Sequence, residues 1–117
     1  MEVKITKDFI ELLNERINKQ NAKEVKEMLH DLHPADIAEL FDELSTKEQS
    51  FVIDLLDNEI SADILLELEE DDRRKFLKTL TAKEIADDVI NEMDTDDAVD
   101  IINELSDERK DAVIAEL

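Results

Sequence analysis

Starting at Leu32, an apolar residue returns every twelve positions. The series runs Leu44, Leu56, Leu68 and Leu80, then Met93 after a step of thirteen, then Leu105 and Leu117. From most of these anchors two further apolar residues follow, eight and nine positions on. They are Leu40 and Phe41, Val52 and Ile53, Ile64 and Leu65, Phe76 and Leu77, Ile101 and Ile102, and Val113 and Ile114. The segment after Leu80 is out of register, with Ile85, Val89 and Ile90 instead. Offsets of eight, nine and twelve lie on one stripe of an α-helix. A stripe that restarts every twelve residues leaves a helix of about nine residues and two or three for the turn. Helices so short and so tightly joined cannot form a long up-down bundle. They must stack progressively, as repeat proteins do.

The residues beside each anchor mark the helix starts. Ser45 precedes Glu48 by three, Thr81 precedes Glu84, and Asn21 precedes Glu24, all at capping-box spacing. Asp57, Asp94 and Ser106 hold equivalent places, and Pro34 sits just inside a start, where its missing N–H costs nothing. The spacing predicts helices over 6–19, 22–31, 34–44, 46–56, 60–68, 70–79, 82–92, 95–105 and 107–117. The anchor leucines are expected to carry the core. With its last anchor at Leu117, the chain reads as one domain over 1–117 and as a fragment of something longer.

Composition closes off most other classes. There is no glycine and one proline, which removes hairpin turns, phosphate-cradling loops and calcium loops that depend on glycine at fixed places. The fold class is all-α. No cysteine is present, so neither a disulfide frame nor a thiolate metal site can form. Asp and Glu number 34 against 14 Lys and Arg, a net charge of −20. Such a surface repels nucleic acid and anionic lipid and attracts cations or a basic protein. No apolar run approaches the length of a membrane span, so this segment is not expected to insert in a bilayer.

Catalytic material is scarce. His30 and His33 lie three apart around the only proline-containing turn, with no third soft ligand in evidence. The serines fall at cap positions, so no nucleophilic triad can be assembled, and the chain reads as a non-enzyme. The densest acid lies in MDTDDAVDIINEL, residues 93–105, where Asp94, Asp96 and Asp100 mimic positions 1, 3 and 7 of a calcium loop. Val99 and Leu105 stand where that loop needs Gly and Glu, so the loop reading fails. As a helix, the stretch has Asp94 at the N-cap and Asp96 and Asp97 in the first turn, where the helix dipole favours acid by about 0.3–1 kcal/mol each. Asp100, one turn beyond Asp96, is not explained that way, because like charges at i, i+4 repel. Stacked on one exposed face, the two carboxylates could meet a hard cation such as Mg²⁺, which takes one or two carboxylates and keeps its waters.

LHPADIAELFDELS, residues 32–45, followed by short helices ending in acid–Leu pairs, resembles the cytosolic N-terminal domain of MgtE-type magnesium transporters. The resemblance runs from about residue 5 to residue 117. It implies a right-handed superhelix of short helices, related to a module of the flagellar rotor protein FliG. It also implies a longer parent, with CBS domains and a transmembrane domain after residue 117, a homodimer set in the cell membrane with this domain on the cytoplasmic face. In the family, Mg²⁺ bridges the acidic N and CBS domains and shuts the pore when cellular magnesium is high. DTDDAVDII here matches the family segment that carries metal-facing carboxylates, which places them on Asp96 and Asp100, with Asp97 a helper. The rival expectation is a FliG-like interaction scaffold that binds a basic partner through its acidic face, with no metal role.

Overall fold

The structure, a computed structural model, describes residues 5–117, and every regular element among them is helical. The elements are α1 (Lys7–Asn18), α2 (Ala22–Leu29), α3 (Pro34–Phe41), α4 (Thr46–Leu55), α5 (Asn58–Glu67) and α6 (Glu70–Leu77). After a composite seventh helix, α7 (residues 82–92), come α8 (Thr95–Glu104) and α9 (Asp107–Ala115). The chain resolves into two compact units, divided between Asp57 and Asn58. In the first, α1 packs on α2 and α4; in the second, α7 is the hub against which α5 and α9 lie.

The caps follow the sequence closely. Ser45 and Thr81 close reciprocal capping boxes with Glu48 and Glu84. Asn21 and Ser106 accept the backbone N–H three residues on, and Thr6 does the same for α1. Pro34 opens α3, and the His33 backbone N–H donates to the Asp36 carboxylate at 3.2 Å. Asp94 stands at the N-cap of α8 but makes no side-chain cap bond.

The core differs from the expectation in one respect. Leu80 apart, the rung eight positions after an anchor is the deepest: Leu40, Val52, Ile64, Phe76, Ile101 and Val113 are each at most 1 % exposed. The anchors are shallower. Leu44 and Leu68 are buried, Leu56, Leu80, Met93 and Leu105 are half-buried, and Leu117 is 59 % exposed. The reason is position: an anchor lies just past the end of its helix, where the backbone turns away, whereas the eighth residue lies within the helix and faces the neighbours. In the second unit the core gathers Leu77, Ile85, Ala86, Ile90, Ala98, Ile101 and Val113.

The out-of-register segment has a structural cause. α7 is α-helical only over Ala82–Glu84, then π-helical over Ile85–Val89, then 3₁₀ over Ile90–Glu92. An i→i+5 turn holds one residue more than an i→i+4 turn. The π segment absorbs the extra residue in the Leu80-to-Met93 step, so that Ile85, Val89 and Ile90 all still face the core.

The missing glycines leave a second trace, at the helix C-termini. Helices commonly end on a left-handed residue that satisfies the last carbonyls, and glycine suits it best. Here α1 ends on such a motif with Gln20 in the left-handed region at φ 56°, its neighbour Asn21 donating to the Arg16 carbonyl at 3.0 Å. Elsewhere long side chains reach the carbonyls instead. Gln49 donates to the carbonyls of Phe41 and Leu44, Arg73 to those of Leu65 and Leu68, and Arg109 to those of Leu77 and Leu80. In each case the acceptors are an anchor and the residue three before it. For Gln49 and Arg73 the donor stands five positions after its anchor.

Candidate functional site

α8 carries the acid singled out by sequence. Asp96 and Asp97 lie in its first turn and Asp100 one turn on, with Asp96 and Asp100 exposed and Asp97 half-buried. Asp96 and Asp100 therefore share one solvent face at the i, i+4 spacing, about 5–6 Å apart at Cβ. Ala98 and Ile101 bury the opposite face. Val99 is about half exposed (49 %) beside the carboxylates.

The stripe continues to Glu104, a further i+4 step, and there the structure adds a residue that sequence reasoning missed. Arg73 on α6 holds Glu104 in a two-pronged ion pair, Nε to Oε2 at 2.8 Å and Nη2 to Oε1, both side chains 12 % exposed. The same guanidinium uses Nη1 to cap the carbonyls of Leu65 and Leu68. The Glu104 hydrogen bonds hold Arg73 above the ordinary guanidinium pKa against the opposing cost of burial. The charges of Glu104, Glu70 and Asp100 act in the same direction. Asp100 thus lies in the field of a fixed cation, which offsets part of its repulsion with Asp96. The partners stand 31 positions apart, beyond the reach of local pattern reading. The only local signal was a long donor five residues after an anchor, a pattern Gln49 shares.

The acid does not close into a cage. Among the described residues no group of three or more His, Cys, Asp or Glu side chains gathers closely enough to hold a metal ion. Asp96 and Asp100 are suited in kind to a hard cation, as oxygen donors in water, but are only two carboxylates. His30 is exposed, with Nδ1 3.2 Å from Asp31 Oδ1, and His33 serves as the N-cap of α3. No helix among the described residues is long and apolar enough to cross a membrane.

Comparison with known proteins agrees with this architecture. A family model described as the MgtE intracellular N domain matches residues 32–117. Among solved structures, the chain is similar to the crystal structure of the soluble part of a magnesium transporter. The two are 27 % identical with a TM-score of 0.81, over 94 % of this chain and 43 % of that one. The chain thus spans less than half the length of that relative. No curated protein matches it.

Proposed function

The chain belongs to the MgtE intracellular N-domain family, and on that premise we propose that it is the Mg²⁺-sensing regulatory domain of an MgtE-type magnesium transporter. Asp96 and Asp100 supply the carboxylate oxygens on this side of the sensor, with Asp97 assisting. The facing donors come from the CBS domains of the same parent, a homodimer in the membrane with this domain on its cytoplasmic side. The observation that carries the reading is the exposed Asp96–Asp100 pair on a helix that Arg73 clamps at Glu104. Two acidic groups stand in water, and the helix that carries them is braced.

The physics is that of two like-charged surfaces. At net −20 the domain repels another acidic surface unless the charge between them is neutralised. A bound divalent cation supplies that neutralisation and a bridge. With the bridge in place the docked arrangement is populated and the pore is held shut; without it the Asp96–Asp100 face swings free. Because the pair is only half a site, its affinity alone is low, and sensing belongs to the docked state.

The test is a Mg²⁺ titration of the ¹⁵N-labelled chain at physiological ionic strength, repeated with Asp96→Asn and Asp100→Asn combined. Shifts centred on Asp96 to Asp100, saturating only at high Mg²⁺ because the pair alone binds weakly, and abolished in the double variant while the fold persists, are expected. Shifts spread evenly over every acidic surface, or unchanged in the double variant, would remove these residues from the sensor.

A further inference from the structure

We propose that a groove between α6 and the α8–α9 turn docks an acidic helix of a partner protein by direct ion pairing, with no divalent cation between them. The groove has a volume of about 410 Å³ and is lined by Arg74, Leu77 and Lys78 on one side. Asn103, Glu104, Leu105, Ser106 and Arg109 complete it. Its charge is opposite to that of the unit around it. Asn58–Leu117 carries 20 Asp and Glu against 7 Lys and Arg, yet three of those seven cations line this one groove. Glu104 is the single acid among the lining residues, and Arg73 occupies both of its oxygens.

The three cations are also poorly compensated. Arg109 spends Nη2 on two neutral carbonyls, of Leu77 and Leu80, so its charge remains unpaired. Lys78 is exposed and has no anionic partner among the described residues, and Arg74 meets Glu70 in an exposed i, i+4 pair that a better acceptor can displace. Asn103 and Ser106 add an amide and a hydroxyl, both able to donate to carboxylate oxygens. The nearest further acids, Asp107 and Glu108, lie in the exposed first turn of α9 and pair with none of the three cations, and acid beyond about 8 Å is screened at physiological salt.

The arrangement selects the kind of acid. Arg74 and Lys78 stand one turn apart on α6, with Arg109 on the other side, so the positive charge is spread along the groove rather than focused on a point. A helix with carboxylates at i, i+4 presents the matching spacing, and the half-buried Leu105 gives its methylene groups an apolar contact. This surface meets acid directly, whereas the Asp96–Asp100 face needs a cation to do so. The two readings stand or fall separately.

The experiment titrates the ¹⁵N-labelled chain, in EDTA, with an alanine-based helical peptide carrying Glu at i, i+4. A twin peptide with Gln at those positions and inorganic phosphate serve as the other arms. Saturable shifts at Arg74, Lys78, Asn103, Ser106 and Arg109 with the Glu peptide alone are expected, weakening as salt is raised. Arg74→Glu combined with Lys78→Glu is expected to weaken binding about tenfold, the loss of two exposed ion pairs. Equal shifts with the Gln peptide, or no saturable shift, would overturn the proposal. So would phosphate reproducing the same shifts at equal anion concentration, which would make the groove a small-anion site. The peptide comparison uses the unmodified chain, so it decides the matter even where the charge-reversed variant folds poorly.

Discussion

Arg73 and Glu104, 31 residues apart in sequence, are joined by both guanidinium prongs and both carboxylate oxygens at a site only 12 % exposed. The pair ties the middle of α6 to the end of α8, and through Nη1 it also ties off the carbonyls of Leu65 and Leu68 where α5 ends. Three helices of the second unit thus converge on one side chain. Removing one partner of such a pair leaves the other charge desolvated and unpaired, at a cost of about 3–5 kcal/mol when fully buried. At this partial burial Arg73→Ala is expected to cost about 3 kcal/mol, because the two carbonyl bonds go with it. Glu104→Ala is expected to cost about 2 kcal/mol, since Arg73 keeps its carbonyl partners. A double-mutant cycle by urea unfolding should give a coupling of about 1–2 kcal/mol. Additive losses would mean that the two side chains act independently.

The depth of the eighth-position rung makes a second, comparative prediction. Ile64 is fully buried mid-helix while Leu117 is 59 % exposed, although both belong to the same sequence ladder. Ile64→Ala is expected to cost about 3 kcal/mol, whereas Leu117→Ala should stay within about 0.5 kcal/mol. Leu44 lies between them in kind, a buried anchor, and Leu44→Asp should abolish cooperative unfolding because it places an unpaired carboxylate in the core. Similar urea midpoints for the Ile64 and Leu117 variants would show that ladder membership, and not depth, sets the cost.

Glycine's absence is felt most directly at Gln20, which holds φ 56° to close α1. A side chain in the left-handed region strains against its own carbonyl by about 1–2 kcal/mol, a strain that glycine lacks. Part of that gain is offset by glycine's greater freedom in the unfolded chain. Gln20→Gly is expected to stabilise the protein by about 0.5–1 kcal/mol, seen as a higher urea midpoint at unchanged slope. A β-branched Gln20→Val should move the midpoint the other way.

These residues also mark where sequence reading ended. The helices, their order and most of their starts were legible because local chemistry sets them: a cap three residues before a Glu, and apolar offsets on one stripe. Asp96 and Asp100 were likewise placed on an exposed face of α8, since i, i+4 geometry is intrinsic to a helix. The depth of each rung was not legible, because eight- and nine-position residues differ only in what packs over them. The Arg73–Glu104 pair depends on how α6 and α8 pack, which no local period encodes. The π segment lies between these cases: its trace was the thirteen-residue step, but a slip in register names no geometry.

That step yields the last prediction. If Ile85–Val89 is π-helical because one residue too many lies between Leu80 and Met93, then deleting an exposed residue there restores the twelve-residue spacing. Asp88 is exposed and within the segment. Its loss lets α7 close as an ordinary α-helix with Val89 and Ile90 moved to the offsets that Phe76 and Leu77 hold after Leu68. Deleting Asp63, equally exposed but within the regular helix α5, does the reverse. It turns the residues on one side of the deletion by about 100° relative to those on the other, so Ala62 and the Ile64–Leu65 rung cannot face the core together. The Asp88 deletion is expected to stay folded, within about 1 kcal/mol of the parent, because α-helical hydrogen bonding replaces the rarer π pattern. The Asp63 deletion is expected to cost more than about 4 kcal/mol, the scale of losing a core rung. Urea unfolding and ¹H–¹⁵N spectra of the two deletions compare them directly. Equal disruption by both would show that the π segment is held by its surroundings rather than by the count of residues.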